Sequence, residues 1–146
     1  MGLFDAIDVA GTGLSAQRLQ MDVTAGNLAN AETTRGANGQ PYQRREVVLQ
    51  EARQGASFGS LLAGASAASP AAGVQVAAIV ADPSPPRRVY DPGHPDADAQ
   101  GYVSLPNVNP VNEMVDLISA SRSYEADVTA MQAAKTDFTQ TLGLLK

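Results

Sequence analysis

The side chains best equipped for chemistry in this 146-residue chain gather in one short run. His94 is the sole histidine, and Asp91, Asp96 and Asp98 flank it. An imidazole beside three carboxylates is a donor set for a divalent cation, and Asp96-Ala97-Asp98-Ala99-Gln100-Gly101 follows the spacing of the first half of a calcium loop. Such a loop needs a bidentate glutamate at its twelfth position, where this chain has Asn107. Pro92, Gly93 and Pro95 suit a rigid turn. The sequence therefore favours a turn over a metal site, and neither metal nor other cofactor is expected. No catalytic residues are expected either, because the chain lacks cysteine, a second histidine and a glycine-rich phosphate loop. A calcium- or zinc-dependent hydrolase would rest on the His94 turn alone.

The other polar candidates are amides and charges. Asn27 and Asn30 stand near a helix end, where asparagine serves as a cap or turn former as readily as a binding group. Arg18 and Arg122 suit intersubunit ion pairs, and equally suit solvated charges worth little. Ten Lys and Arg against fifteen Asp and Glu give a net charge of −5. The basic residues cluster only as Arg44 with Arg45 and Arg87 with Arg88, so neither nucleic acid nor direct lipid binding is expected.

The elements that must position these groups are two long helices. Asn109 is placed to cap the second, Pro110 suits its first position, and Glu113 lies near the positive end of its dipole. From there Leu117, Tyr124, Met131, Phe138 and Leu145 recur every seven residues. Met114, Ser121, Val128, Lys135 and Leu142 flank them, which makes a coiled-coil seam. At the other end Ile7, Leu14, Met21 and Leu28 repeat at the same interval, with Leu3, Ala10, Gln17, Thr24 and Ala31 beside them. Leu19 and Val23 lie away from that seam, so the first helix should meet more than one neighbour. Fixing such helices costs about 1 to 2 kcal/mol per residue, against about 1.5 to 3 kcal/mol for each large apolar side chain buried. Each seam therefore needs a partner surface.

Between the helices the chain turns to proline, glycine and β-formers. All nine prolines lie between residues 41 and 110. Strands are expected at Tyr42–Leu49, Val74–Ala81, Arg87–Tyr90 and Gly101–Leu105, with an Ala/Ser/Gly loop over 53–73. The fold class is α+β: an antiparallel coiled-coil hairpin of N- and C-terminal helices with a small, self-contained β-rich module inserted. Its parts are residues 3–34, 35–108 and 109–146. Met1 to Ala10 carries Asp5 and Asp8 where a cleaved leader would be basic and then apolar, so none is expected.

Two terminal motifs resemble those of bacterial flagellar basal-body rod and hook proteins. The first is Gly13 to Leu19 with Met21-Asp22-Val23 and Asn27-Leu28-Ala29-Asn30-Ala31. The second is Asn107-Val108-Asn109-Pro110-Val111-Asn112-Glu113-Met114 through Ile118, with Ser121 to Ala126. The middle run from Asp82 to Ala97 is similar to the proximal-rod members of that family, while Gly26 stands where the family usually has a further asparagine. The resemblance implies a structural subunit of the rod that crosses the periplasm as drive shaft and export channel, itself exported without a cleaved signal. It implies helical assembly with itself and other rod subunits, and contact with basal-body ring components and the flagellar export apparatus. The expected assembly interface is Ile7, Leu14, Leu19, Met21, Val23, Leu28, Met114, Leu117, Tyr124, Val128, Met131, Phe138 and Leu142. The motif residues are Asn27, Asn30, Asn107, Asn109, Pro110 and Glu113. A soluble adaptor or chaperone-like helical module, burying the same seams against one transient partner, is the alternative.

Overall fold

The computed structural model describes residues 3–36, 38–52 and 73–143. It is an α+β chain with two long helices, α1 (Leu3–Ala29) and α2 (Pro110–Gly143), and four strands between them. These are β1 (Arg45–Glu51), β2 (Val74–Ala81), β3 (Arg87–Tyr90) and β4 (Tyr102–Leu105). The loop expected over 53–73 lies outside the described residues except for Gly73, as does Leu145.

Helix α2 begins as its residues dictate. The Asn109 side chain accepts from the Val111 amide at 3.0 Å, and its carbonyl accepts from the Glu113 amide at 3.1 Å. Helix α1 ends at Ala29, where the Asn30 side chain donates to the Gly26 carbonyl at 2.8 Å. Tighter i to i+3 bonds then follow at Ala31 and Thr33.

The strands form two separate two-stranded antiparallel sheets, β1 with β2 and β3 with β4. The first strand starts three residues later than expected, for a visible reason. The Tyr42 amide is drawn to the Thr33 carbonyl (3.2 Å) and the Arg44 amide to Asn107 Oδ1 (3.0 Å), so residues 42–44 bond to the helix junction. Most strand residues are exposed, and buried Val103 is the exception in the second sheet.

Among the described residues, helix α1 packs against α2 and the β1–β2 ribbon. Against α2, Asn27 meets Glu113. A Cβ built on Gly13 would lie 3.2 Å from Asp127 Oδ2, so glycine permits a close approach there. Along the seams Ile7, Leu14, Met21, Leu28, Leu117, Tyr124, Val128, Met131 and Phe138 are half-buried. Leu19 and Val23 line concavities shared with the ribbon, Leu19 beside Val74 and Val76 and Val23 beside Val47, which accounts for their place off the seam.

The ribbon is fastened to α1 at both ends. The Val74 amide donates to Thr12 Oγ1 at 3.1 Å, and the Arg45 amide donates to Asn27 Oδ1 at 2.9 Å. Fifteen residues of helix rise about 22 Å, and seven strand steps cover about 24 Å, so the two lengths match. Gly73 is required at the first fastening, because a Cβ there would sit 2.3 Å from Thr12 Oγ1.

The β3–β4 connection is the turn that the prolines foretold. Asp98 Oδ1 accepts from the amides of Gln100 and Tyr102, both at 2.9 Å, and the Asp98 carboxylate holds Arg88 at 2.5 Å. The Tyr102 amide is the main reason its carboxyl sits below the ordinary range. Asp96 accepts from Thr34 at 2.8 Å and pairs with Arg35 at 3.1 Å, which ties the turn to the exit of α1. Asp91 Oδ1 accepts from the Gly93 amide at 3.2 Å, so all three carboxylates beside His94 are engaged by donors of the chain itself.

Candidate functional site

The largest fully buried side chains among the described residues include two polar ones, Glu113 and Asn27, each 1% exposed, alongside Pro106. They meet where α1, α2 and the start of β1 converge. Asn27 Nδ2 donates to Glu113 Oε2 (3.0 Å) and to the Arg45 carbonyl (2.8 Å). Its Oδ1 accepts from the Arg45 amide (2.9 Å) and the Tyr42 hydroxyl (2.9 Å). All four hydrogen-bonding positions of the amide are thereby used. Toward β1 the side chain imitates a neighbouring strand, since it pairs with both the N–H and the C=O of one residue.

Glu113 is held from a second side. Arg44 Nε donates to Oε1 at 2.5 Å, and its guanidinium also pairs with Glu46 and reaches Asp116 at 3.6 Å. The Glu113 bond outweighs burial and pushes the Arg44 guanidinium above its ordinary value. Burial is the main cause that pushes the Tyr42 hydroxyl above 10.0, with the Arg45 charge opposing it and the Glu113 charge assisting. Asn107 completes the junction by accepting the Arg44 amide, while its own Nδ2 is buried without a partner among the described residues.

Four of the six motif residues picked from the sequence, Asn27, Asn107, Asn109 and Glu113, are thus brought to one junction, and Pro110 opens α2 beside it in the chain. Asn30 is not: it bonds locally to Gly26 and Thr33. The sequence reading missed Arg44 and Tyr42, because one arginine of a basic pair on a strand looks like surface charge. Its only signal was a buried glutamate that would need a cation.

A second feature the heptad reading missed lies on α2. Val111, Met114, Val115 and Ile118 are 64%, 46%, 60% and 55% exposed and follow i, i+3, i+4, i+7 spacing, which is one helical face. Of these only Met114 belongs to the expected interface, and Leu142 is likewise exposed.

The assembled geometry is a scaffold, with polar groups spent on joining elements and apolar groups left facing outward. Comparison with known proteins gives the class. The profile for flagella basal body rod proteins matches residues 7–37, and that for the flagellar basal body rod FlgEFG protein C-terminal region matches 99–144. The first stretch carries Asn27 and the second carries Asn107 and Glu113. Over its whole length the chain is 44% identical to the flagellar basal-body rod protein FlgC of Borreliella burgdorferi, covering 99% of that protein. It is 50% identical to FlgC of Bacillus subtilis over 92% of this chain and 93% of the relative. With FlgC of Salmonella typhimurium the identity is 41%, over 99% and 98%. The chain belongs to the FlgC family of flagellar basal-body rod proteins, and is a structural rod subunit of the flagellar basal body.

Proposed function

We propose that this subunit builds the proximal rod by polymerising through its terminal helices, as part of the drive shaft and export channel that crosses the periplasm. Residues 3–34 and 109–146 form the rod core and pair as an antiparallel coiled-coil hairpin, while residues 35–108 form the insertion. Support for the hairpin comes from two contacts, Asn27 with Glu113 and Gly13 with Asp127: α1 descends fourteen residues as α2 ascends fourteen. The seam residues named above then contribute twice, half of each surface going to the partner helix and the remainder to a neighbouring subunit. The chain works by packing and carries out no reaction. Its partners are copies of itself, other rod subunits, the basal-body rings and the flagellar export apparatus. Among the described residues no helix is long and apolar enough to cross a membrane.

The observation that carries this reading is the exposed face Val111–Met114–Val115–Ile118 beside the half-buried seam. Four large apolar residues on one helical face are the pattern of a surface that is covered in an assembly. Val115→Asp and Ile118→Asp test it. Both sites are exposed, so the fold should shift by no more than about 0.5 kcal/mol. Secretion should persist while rod formation and swimming are lost. Cells that still build rods and swim with both substitutions would refute assembly through α2. An adaptor binding one transient partner would instead leave discrete small complexes at every concentration.

A further inference from the structure

Seams that repeat every seven residues share a weakness: apolar packing alone hardly distinguishes one alignment of two helices from another displaced by a heptad. Ile7, Leu14, Met21 and Leu28 are similar in chemistry, and so are Leu117, Met131 and Phe138. Asn27 and Glu113 stand outside this repetition. One heptad from Glu113 along α2 is Ala120, and one heptad back is Pro106, neither of which offers a side-chain acceptor. Sliding α2 either way would leave the buried Asn27 amide without its partner. It would also carry the Glu113 carboxylate, 1% exposed, away from both Asn27 and Arg44. Buried polar groups stripped of partners are far more costly than apolar groups exchanged for one another.

We propose that Asn27 and Glu113, with Arg44, set the alignment of α1 on α2 and exclude the heptad-shifted pairings. This rests on the antiparallel hairpin reading given above. The three residues come from α1, from α2 and from the segment that leads into the ribbon. Asn27 is bonded to Arg45 at the start of the ribbon and to Tyr42 just before it, neither of which belongs to α2. Arg44 is the next residue to Arg45 in the same segment and points its guanidinium at Glu113. The α1–ribbon unit therefore offers α2 one receptor, and only Glu113 fits it. Seams supply attraction, and this receptor supplies position.

The chain has no cysteine, so paired nitroxide labels can be placed without background. Ser15→Cys and Glu125→Cys are exposed and lie two residues from Gly13 and Asp127, respectively, on facing stretches. Pulsed electron spin resonance on the full labelled chain should give one narrow, short distance. If no short distance is found, the hairpin reading and the proposal built on it both fall. Glu113→Leu, which removes the key but leaves Asn27 on the ribbon, should add a second population displaced by one heptad, about 10 Å along the axis. A single unchanged distance in that variant overturns the proposal and leaves the hairpin standing. Should Glu113→Leu lose its helical circular dichroism, Asn27→Leu takes its place: a second population supports the proposal, and a single unchanged distance overturns it. Asp116→Ala, which touches Arg44 only from the exposed side, should keep one narrow distance. If it spreads the distances as widely as Glu113→Leu, general loosening explains the result and the proposal falls.

Discussion

Replacing Asn27 with alanine should be among the most destabilising substitutions in the chain, although it deletes only a small polar group. The amide makes four hydrogen bonds, two to the Arg45 backbone, one from Tyr42 and one to the Glu113 carboxylate. An ordinary intramolecular hydrogen bond contributes about 1 kcal/mol net and one to a charged group about 1.5 to 3. Arg45 is exposed, so water recovers part of the loss at its backbone. Tyr42 is half-buried, whereas Glu113 is sealed from solvent and keeps only Arg44. The balance comes to about 3 to 4 kcal/mol. With a urea dependence of about 2 kcal/mol per molar, the unfolding midpoint should fall by roughly 1.5 to 2 M. Asn30→Ala is the comparison, since it loses two local bonds and should cost about 1 kcal/mol or less. Urea titrations followed by circular dichroism read both. If Asn27→Ala costs no more than Asn30→Ala, the junction contributes no more than an ordinary helix cap, and the reasoning is refuted.

Arg44→Met should cost about 3 kcal/mol by leaving a sealed carboxylate with one partner, and adding Glu113→Gln should recover more than half of that in the same urea assay. Tyr42 holds its proton above 10.0 in the fold, so its contribution is complete below that pH and is lost as pH rises through the raised value. Alkaline absorbance titration should show a late-ionising phenol that Tyr42→Phe removes, with a shallower fall in stability above pH 10.0. Gly73→Ala should push Thr12 aside and release the Val74 amide, seen as faster hydrogen exchange at Val74 with little change at Ala81.

Much of the architecture was legible because it depends on local rules. Asn109 and Pro110 start α2 where the capping rule puts them, and strands β2 and β3 fall on the expected residues. The start of β1 was not legible, because residues 42–44 are claimed by Thr33 and Asn107, the latter sixty-three positions from Arg44. Asn27 and Glu113 were recognised as motif residues without their roles, for the bond that unites them spans eighty-six positions. Expecting one self-contained β module meets two ribbons, most of whose residues are exposed. The exposed face of α2 escaped the heptad count because Val111, Val115 and Ile118 run beside the seam, and no period says which of two apolar stripes the partner helix will take.

The double fastening of the ribbon has a mechanical consequence. Gly13 and Gly26 each weaken α1 by about 1 kcal/mol relative to alanine, and on its own such a helix bends at those points. The span between Thr12 and Asn27 is bridged by two strands whose antiparallel cross-links run perpendicular to the strands themselves. A pull along α1 loads those cross-links side by side, so they resist together, whereas a force peeling the ribbon from one end would break them in turn. Gly13 admits a close neighbour in Asp127, and the ribbon returns the stiffness the glycines give up, so this stretch of the subunit behaves as a braced beam rather than a flexible rod.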